Sequence, residues 1–405
     1  MMEVLECGER IRDTGFDFKG IPASSGVYGI HPYPAMFHFM VVRELIKGYS
    51  TEKALVLDPF VGSGVSAVEC LISGRNFVGF DINPLAILIA KVRATPIPRD
   101  KLMKTLHHIL RTVNGIDYER VDFPNINYWF KDYVIEDLSK LRSAILQISE
   151  EDVQDFYKVV FSETVRRVSN TKFNEFKLVR KNKDENPQTF EVFRSIALRN
   201  ILLLTSFYKK YPPKDVLIKL EEKSLFDMEV EDNSVDLIIT SPPYGDSRTT
   251  VAYGQFSRLS LRWLGMEERV DKNSLGGRKQ EIHYNLPSHT LYFTLDKLQS
   301  LDKNRAKEVF SFYADLYKAI SLISKKVKPS GYVCFVVGNR KVKGLNLPTD
   351  VISAEFFVNE GFKHIKTIVR EISNKRMPVK NSPSNLKGDT DFTMKYEYIV
   401  VLRKQ

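Results

Sequence analysis

The fold is decided by the stretch Ala54-Leu55-Val56-Leu57-Asp58-Pro59-Phe60-Val61-Gly62-Ser63-Gly64, in which a short apolar run meets a glycine-containing loop. Short runs of Val and Leu bounded by turn residues are typical of buried strands. Glycines in the loop allow a ligand to lie close to the backbone between strand and helix. The next residues, Val65 to Ile72, predict a helix that ends at Gly74. The stretch therefore predicts a strand, a ligand-binding loop and a helix, in that order.

A second strand with an acidic tip follows this helix. Asn76-Phe77-Val78-Gly79-Phe80 predicts the strand, and Asp81-Ile82-Asn83-Pro84 leads into an apolar helix that ends near Arg93. An aspartate in this place can accept hydrogen bonds from both hydroxyls of a ribose. The loop lacks the third glycine of a dinucleotide fingerprint, and no Lys-Ser/Thr pair of a phosphate-binding loop follows it. We expect a doubly wound, mostly parallel α/β sheet that binds a nucleoside-containing cofactor. A tight turn followed by an Asp cap is the alternative.

A third buried strand, Ser234 to Ile239, runs into Thr240-Ser241-Pro242-Pro243-Tyr244-Gly245-Asp246. The two prolines end strand pairing and fix the backbone at the carboxyl end of the sheet, where ligands of such folds bind. The stretch therefore places a serine hydroxyl, two rigid backbone carbonyls and the aromatic ring of Tyr244 at this edge of the sheet.

The remaining pattern predicts one α/β domain with a long helical insertion. We divide the chain into a cofactor-binding half over 21–97, a mainly helical insertion over 98–212 and a catalytic half over 213–405. A segment as long as the insertion is expected to have its own packing. The first 20 residues show no clear pattern. We expect helices over Ala35–Ile46, Ala306–Val327 and Thr349–Asn359, and strands over Val216–Leu220, Tyr332–Val337, near Ile365 and over Tyr398–Val401.

Composition narrows the class of protein. The 405 residues carry 60 basic and 50 acidic side chains, a formal charge of +10 that favours a polyanionic partner such as nucleic acid. No apolar run approaches the ~18 residues of a membrane span. The three cysteines are too few and too scattered for a disulfide framework or a zinc site, which indicates a reducing cytosol. Neither Cys70 in a helix nor Cys334 in a strand is placed as a nucleophile.

Four motifs together resemble the S-adenosylmethionine-dependent amino-methyltransferases, which modify exocyclic nitrogens of DNA bases. Asp58 to Gly64 resembles their cofactor loop, Gly79-Phe80-Asp81 their ribose-binding motif, and Ile30 to Ala35 the segment around the methionine end of the cofactor. Ser241-Pro242-Pro243-Tyr244 is similar to their catalytic tetrapeptide, in which Asp, Asn or Ser precedes Pro-Pro and an aromatic residue. A looser match over Ser224 to Asp227 suggests an adenine-side contact.

The resemblance implies a class I methyltransferase fold, S-adenosyl-L-methionine as methyl donor and no metal. It implies a cofactor site formed by Tyr33, Pro34, Asp58, Pro59, Phe60, Gly62, Ser63, Gly64, Asp81, Ile82 and Asp227. The catalytic residues would be Ser241, Pro242, Pro243 and Tyr244, with the tyrosine ring stacked on a target base that has left the duplex.

Serine in the first position of the tetrapeptide is more typical of enzymes resembling the cytosine-N4 class, and Asp or Asn of the adenine-N6 class. We therefore expect methylation of cytosine N4 in double-stranded DNA, in the cytosol of a prokaryote. The setting implied by the resemblance is restriction–modification with a cognate nuclease. Adenine N6, an RNA substrate and a non-catalytic DNA-binding module stay open as alternatives. In many cytosine-N4 enzymes the tetrapeptide precedes the cofactor loop; here it follows, which leaves the placement of the target-recognition region open.

Four segments are candidates for DNA contact. The first is Arg166 to Lys183, which holds seven basic residues and one acidic residue, with a solvated surface as the alternative. The second is the loop after the tetrapeptide, up to Arg258, with an ordinary loop and helix start as the alternative. The others are Asn374 to Asn385 and the loop Gly276 to Lys279. The candidate residues are Asp246, Ser247, Arg248, Arg258, Arg166, Arg167, Lys172, Lys177, Arg180, Lys375 and Arg376.

Overall fold

The structure is a computed structural model, and it describes residues 8–172, 175–181, 185–245, 253–268, 270–372, 380–381, 391–392 and 394–405. The strands are β1 Glu9–Arg12, β2 Leu55–Asp58, β3 Asn76–Asp81, β4 Ile218–Glu222, β5 Val235–Thr240, β6 Val327–Val337, β7 Arg340–Val342, β8 Leu345–Leu347, β9 Phe362–Glu371, β10 Lys380–Asn381, β11 Asp391–Phe392 and β12 Tyr396–Lys404. The helices are α1 Phe39–Tyr49, α2 Val65–Ser73, α3 Pro84–Ala94, α4 Arg99–Thr112, α5 Ile126–Trp129, α6 Asp132–Leu146, α7 Glu151–Val168, α8 Thr189–Lys210, α9 Tyr253–Leu264, α10 Val270–Asn273, α11 His289–Leu301, α12 Lys303–Lys326 and α13 Thr349–Asn359.

Eight strands form one central sheet in the order β1-β9-β12-β6-β5-β2-β3-β4. Strand β12 is antiparallel to both of its neighbours, and the other neighbouring pairs of this sheet are parallel. The predicted doubly wound, mostly parallel sheet is therefore confirmed. The strand order reverses between β2 and β5, and the carboxyl ends of these two strands form the switch point where such folds bind ligands.

Local sequence explains the elements around the switch point. Helix α2 ends because Gly74 adopts a left-handed conformation at φ +78°. Helix α3 begins because Asn83 accepts a hydrogen bond from the backbone N–H of Leu85 at 3.2 Å, with Pro84 in the first helical position. Strands β2, β3 and β5 are almost entirely buried, as their apolar runs predicted.

The amino-terminal region differs from the sequence prediction in the start of one helix, and it contains one strand that no pattern marked. Helix α1 begins at Phe39 and not at Ala35, because Ala35 has a left-handed φ of +49° and the extended His38 caps the helix by accepting from the N–H of Met40. Strand β1 falls within the first 20 residues, where no pattern was seen. Its four residues are all exposed on the sheet edge, so no alternation of apolar and polar residues marks it.

The helical insertion, residues 98–212, contains helices α4 to α8 in the connection between β3 and β4. The insertion has its own packing, as expected: helix α7 packs against both α6 and α8. Its buried residues, such as Phe156 and Phe161, belong to the same apolar cluster as Val56 and Leu237 of the sheet. Within the described parts of the chain, no helix is long and apolar enough to cross a membrane.

Candidate active site

A cleft opens at the carboxyl ends of β2, β3 and β5, with an empty volume of about 1130 Å³ that includes open solvent. This size suits a small-molecule ligand. The cleft brings together most of the predicted cofactor residues and part of the predicted tetrapeptide. Those lining it are Tyr33, Pro34, Asp58, Pro59, Phe60, Gly62, Ser63, Asp81, Ile82, Ser241 and Pro243.

The two loop glycines have different structural reasons. Gly64 adopts φ +82°, and a Cβ there would lie 2.5 Å from the Cβ of Ala90 on α3. Gly64 therefore lets α3 pack directly against the loop, and it does not itself line the cleft. Gly62 adopts φ +51°, and its N–H donates to Oδ2 of Asp81 at 2.9 Å. This bond joins the loop after β2 to the tip of β3.

Asp58 ties the cofactor loop to the catalytic strand. It is almost fully buried, and its carboxylate accepts from the hydroxyl of Thr240 at 2.6 Å, the hydroxyl of Ser66 at 2.6 Å and the N–H of Phe60 at 3.1 Å. Burial raises its pKa to about 6, and the three hydrogen bonds oppose that increase. Because Thr240 directly precedes Ser241, the position of the serine depends on this carboxylate.

Asp81 lies at the tip of β3 in the wall of the cleft. Its carboxylate accepts from the backbone N–H groups of Gly62 at 2.9 Å and Asn83 at 2.8 Å. Burial raises its pKa to about 6, against the effect of these two bonds. Each carboxylate oxygen has a further lone pair, so Asp81 retains the capacity to accept from two hydroxyl groups of a ligand.

Asn83 holds one wall of the cleft. Its amide donates to the hydroxyls of Tyr33 at 3.0 Å and Ser257 at 2.8 Å. The ring of Tyr33 stacks on Tyr253, with centroids 6.0 Å apart, and meets the edge of Phe256 at 5.8 Å. Tyr253, Phe256 and Ser257 belong to helix α9, which follows the tetrapeptide in sequence. The amide therefore links the cofactor half of the sheet to the catalytic half.

Arg93, which sequence reasoning did not select, clamps the cofactor loop from inside the core. The side chain is fully buried, and burial lowers its pKa to about 9. One terminal nitrogen donates to the carbonyl and hydroxyl oxygens of Ser63 at 2.9 and 2.6 Å. The other donates to the carbonyls of Tyr28 at 2.7 Å and His31 at 3.0 Å. Arg93 thus fixes the loop against the segment that precedes α1.

The insertion holds this same segment from the other side. Asn200 of α8 donates to the carbonyl of Ile30 at 2.8 Å, and the hydroxyl of Ser162 on α7 lies 2.6 Å from Nε2 of His31. Burial lowers the pKa of His31 to about 3, so its imidazole is neutral at physiological pH. Glu163, next to Ser162, forms an ion pair with Arg199. The insertion therefore supports the cofactor cleft.

The catalytic tetrapeptide lies beside the cleft with its side chains linked. The hydroxyl of Ser241 donates to the hydroxyl of Tyr244 at 3.1 Å, and that hydroxyl donates to Oε1 of Glu397 at 3.1 Å. Burial and the negative charge of Glu397 raise the pKa of Tyr244 well above its ordinary value. Pro242 is buried, and neither Pro242 nor Tyr244 lines the cleft. Glu397 was not selected from the sequence, because it lies 153 residues from Tyr244.

The structure does not bring Asp227 into the cleft. This residue is exposed at the end of a short 3-10 turn, Leu225–Asp227, and its neighbours Lys223, Ser224, Leu225 and Phe226 line the cleft instead. Ser224 caps the turn by accepting from the N–H of Phe226, and both Phe226 and Asp227 are exposed. Phe226, whose side chain is exposed beside the cleft, is the better candidate for contact with an aromatic ring.

The prediction that Arg166 contacts DNA is contradicted by its burial. Its guanidinium lies 4.0 Å from the ring centroid of Phe256, and it donates to the carbonyls of Phe256 at 3.0 Å and Glu175 at 3.1 Å. Burial lowers its pKa to about 10. In a sequence, a buried arginine and a surface arginine look alike. Arg167 pairs with Glu163 and is partly exposed, so its contact with DNA stays a prediction.

Three other basic candidates share one surface segment. Lys172, Lys177 and Arg180 are exposed, and an isolated bridge between Thr171 and Arg180 closes the segment. The segment packs on α9: the ring of Phe176 lies 6.2 Å from that of Phe256, and the N–H of Leu178 donates to Gln255 at 3.3 Å. Arg258 of α9 is partly buried. Asp246, Ser247, Arg248, Lys375 and Arg376 lie outside the described residues.

Across the described ranges, no group of three or more His, Cys, Asp or Glu side chains is arranged to hold a metal ion.

Comparison with known proteins assigns the family. A family model described as DNA methylase, N6_N4_Mtase, matches residues 8–92 and 235–405. The type II methyltransferase M.MvaI of Kocuria varians is 38% identical over 411 residues, which cover 92% of this chain and 90% of that protein. The type II methyltransferase M.BsoBI of Geobacillus stearothermophilus is 20% identical over 407 residues, with 82% of this chain and 78% of that protein covered.

Solved structures resemble the chain with low TM-scores. A putative DNA modification methylase from Thermus thermophilus, complexed with S-adenosyl-L-methionine, covers 44% of this chain and 51% of its own at 16% identity and a TM-score of 0.22. A SAM-dependent methyltransferase from Methanosarcina mazei covers 92% of this chain and 98% of its own at 10% identity and a TM-score of 0.32. The assignment rests on the family model, which spans more than half of the sequence, and on the Kocuria relative. The chain belongs to the DNA methylase family, the S-adenosylmethionine-dependent amino-methyltransferases of DNA.

Proposed function

We propose that this DNA methyltransferase transfers a methyl group to the exocyclic N4 amine of a cytosine that has been flipped out of double-stranded DNA. The observation that carries the proposal is that Ser241 lines the same cleft as Asp58, Gly62 and Asp81. A neutral hydroxyl stands where the adenine-N6 class more typically has Asp or Asn. The relatives' names, type II methyltransferases, support action at specific DNA sites.

The residues of the cleft fit S-adenosyl-L-methionine. Asp81 has free acceptor capacity for the two ribose hydroxyls, and Phe60 and Phe226 offer apolar faces for the adenine. Gly62, Ser63 and the segment around Tyr33 and Pro34 would hold the methionine end of the cofactor. Asp58 would fix the loop through its hydrogen bonds to Phe60 and Ser66. When bound, the cofactor supplies an electrophilic methyl group on a sulfonium. We propose no metal for the reaction.

The protein's own groups would hold the amine for attack. The oxygen of Ser241 and the carbonyl of Pro242 each accept one amine hydrogen, which favours a pyramidal nitrogen with its lone pair directed into the cleft. The two prolines fix these acceptors at the end of β5, so little reorganisation is needed at the moment of reaction. Base pairing hides this edge of cytosine in the duplex, and the base must therefore leave the stack. Tyr244 and Pro243 offer surfaces against which it can pack.

The DNA would approach the segment that carries Lys172, Lys177 and Arg180. This segment packs on α9, which begins just after the loop that follows the tetrapeptide. Phosphate contacts from these side chains would place the duplex over the mouth of the cleft. Arg167 and Arg258 stay candidates for the same surface, and so do the candidates outside the described residues. In this proposal the chain divides into the cofactor-binding half over 21–97, the insertion over 98–212 and the catalytic half over 213–405.

The biological setting that we propose is restriction–modification in a prokaryotic cytosol, with a cognate restriction endonuclease as partner. Methylation by this chain would protect the shared recognition sites of the host.

The proposal is tested by methylating random duplex DNA with labelled S-adenosylmethionine and digesting the product to nucleosides for mass spectrometry. N4-methylcytosine is the expected product. N6-methyladenine would contradict the choice of base, and label in RNA but not in DNA would contradict the substrate. Ser241→Ala serves as the matched control, and we expect it to bind the cofactor normally while losing most turnover.

A further inference from the structure

Four side chains form a hydrogen-bonded line that starts at the proposed acceptor of the amine. The hydroxyl of Ser241 donates to Tyr244, and Tyr244 donates to Glu397. The other oxygen of Glu397 pairs with Arg370, whose side chain is only 3% exposed. Arg370 is in turn fixed by a bond from Nε to the carbonyl of Phe16 at 2.8 Å. The line therefore runs from the cleft to an ion pair inside the sheet.

The topology of the sheet explains why Glu397 can reach the active site. Strand β12 runs antiparallel to β6, so its first residues lie at the carboxyl ends of the parallel strands. Glu397 and Arg370 are direct partners in the register of β12 and β9. Tyr244 is held close on another side as well, since a Cβ on Gly338 would lie 2.8 Å from its ring. The antiparallel strand thus delivers a carboxylate to the hydroxyl of the tyrosine.

The ion pair fixes the direction of every hydrogen bond in the line. A carboxylate only accepts, so the single proton of the Tyr244 hydroxyl points to Glu397. That hydroxyl must then act as acceptor toward Ser241, whose single proton points to it. The serine oxygen is left with lone pairs only, and these are what the amine of a base requires. A serine hydroxyl that was free to turn would offer its own proton to the amine for part of the time.

We propose that Glu397 and Arg370 are positioning residues that keep Ser241 oriented as a hydrogen-bond acceptor, through the hydroxyl of Tyr244. The inference rests on the proposed role of Ser241 and holds whether the methylated base is cytosine or adenine. It gives Tyr244 a second role besides packing against the base. A phenylalanine would stack equally well, but it cannot carry the line from Glu397 to the serine.

The test compares four variants of the full-length protein in single-turnover methyl transfer to duplex DNA: Tyr244→Phe, Glu397→Gln, Ser241→Ala and the double variant Ser241→Ala/Tyr244→Phe. We expect Tyr244→Phe and Glu397→Gln each to lower the rate at least tenfold with the cofactor Kd unchanged within twofold. In the Ser241→Ala background, Tyr244→Phe should cost less than twofold, because the serine hydroxyl that it orients is already gone.

Full activity of Tyr244→Phe would overturn the proposal and leave stacking as the only role of the ring. A Tyr244→Phe effect that is equally large with and without Ser241 would overturn it as well. Glu397→Gln leaves a buried arginine without its carboxylate; if this variant fails to fold, Tyr244→Phe alone decides, since it removes one oxygen. Failure of the proposed function looks different. It would appear as full activity of Ser241→Ala, or as wild-type protein that binds the cofactor but methylates no DNA. Either result removes the acceptor role of Ser241, and with it the proposal.

Discussion

Arg93→Lys is the substitution whose effect can be worked out most directly from the contacts. Arg93 is fully buried and donates four hydrogen bonds to oxygens of Ser63, Tyr28 and His31, between 2.6 and 3.0 Å. A lysine ammonium has three donors and no planar fork. At least one of the four buried oxygens must therefore lose its partner.

The cost of that loss sets the expected magnitude. A buried acceptor left without a partner costs ~1–3 kcal/mol, so we expect Arg93→Lys to lower the free energy of unfolding by about 2 kcal/mol. Ser63 lines the cleft, and the segment from Tyr28 to His31 leads into Tyr33 and Pro34, which also line it. Loosening these groups should raise the Kd for S-adenosylmethionine about tenfold, equivalent to ~1.4 kcal/mol.

Urea unfolding at pH 7 and titration calorimetry measure the two effects. Arg194→Lys is the matched control, because its side chain is 54% exposed and pairs only loosely, at 3.4 Å, with Glu191 one helical turn away. The control should stay within ~0.5 kcal/mol of the wild type. An Arg93→Lys protein that is equally close to the wild type in stability, with an unchanged cofactor Kd, would refute the view that Arg93 clamps the cleft.

Three further predictions concern the loop, the ribose contact and the DNA surface. Gly64→Ala should lower the free energy of unfolding by ~2–5 kcal/mol, because of its left-handed φ and the 2.5 Å approach of a Cβ to Ala90. Gly48→Ala is the control: this glycine has open space around it, and the alanine should stabilise α1 by ~0.5–1 kcal/mol. Equal effects of the two substitutions in urea unfolding would contradict the packing argument. The ionised form of Asp81 is the form that accepts the ribose hydroxyls, and its raised pKa is about 6. The cofactor Kd should therefore increase as the pH falls from 7 to 5, by up to about tenfold per pH unit below pH 6. Asp81→Asn should lose this part of the pH dependence, and an identical profile in calorimetry would exclude Asp81 as its source. Glutamine substitutions at Lys172, Lys177 and Arg180 should reduce the slope of the logarithm of the DNA-binding constant against the logarithm of salt concentration by up to ~0.9 per lost phosphate contact. Glutamine substitutions at Lys209, Lys210 and Lys214, near the amino ends of the parallel strands, should leave this slope unchanged.

The sheet and the cleft could be predicted from the sequence because both depend on local patterns. The apolar run before Asp58, the glycines after it and the Pro-Pro pair after β5 each specify backbone geometry within a few residues. Those signals placed the loop and the tetrapeptide at neighbouring strand ends, where most of the loop and two residues of the tetrapeptide, Ser241 and Pro243, line the cleft.

The residues that were missed act over long separations. Glu397 reaches Tyr244 across 153 residues, and Arg93 reaches Tyr28 across 65. No periodicity marks either residue, because the role of each depends on contacts with groups that are distant in the sequence. The prediction that Arg166 contacts DNA was wrong because a run of basic residues usually indicates an exposed surface. Only the packing of α7 against α9 shows that this arginine is buried.

The measurement that tests the central claim most directly is the identity of the methylated nucleoside. Duplex DNA methylated by the wild-type protein, and in parallel by Ser241→Ala, is digested and separated by liquid chromatography with mass detection. The account predicts N4-methylcytosine from the wild type and a loss of most of it from the variant. N6-methyladenine from the wild type, or an equal yield of methylated nucleoside from Ser241→Ala, would contradict it.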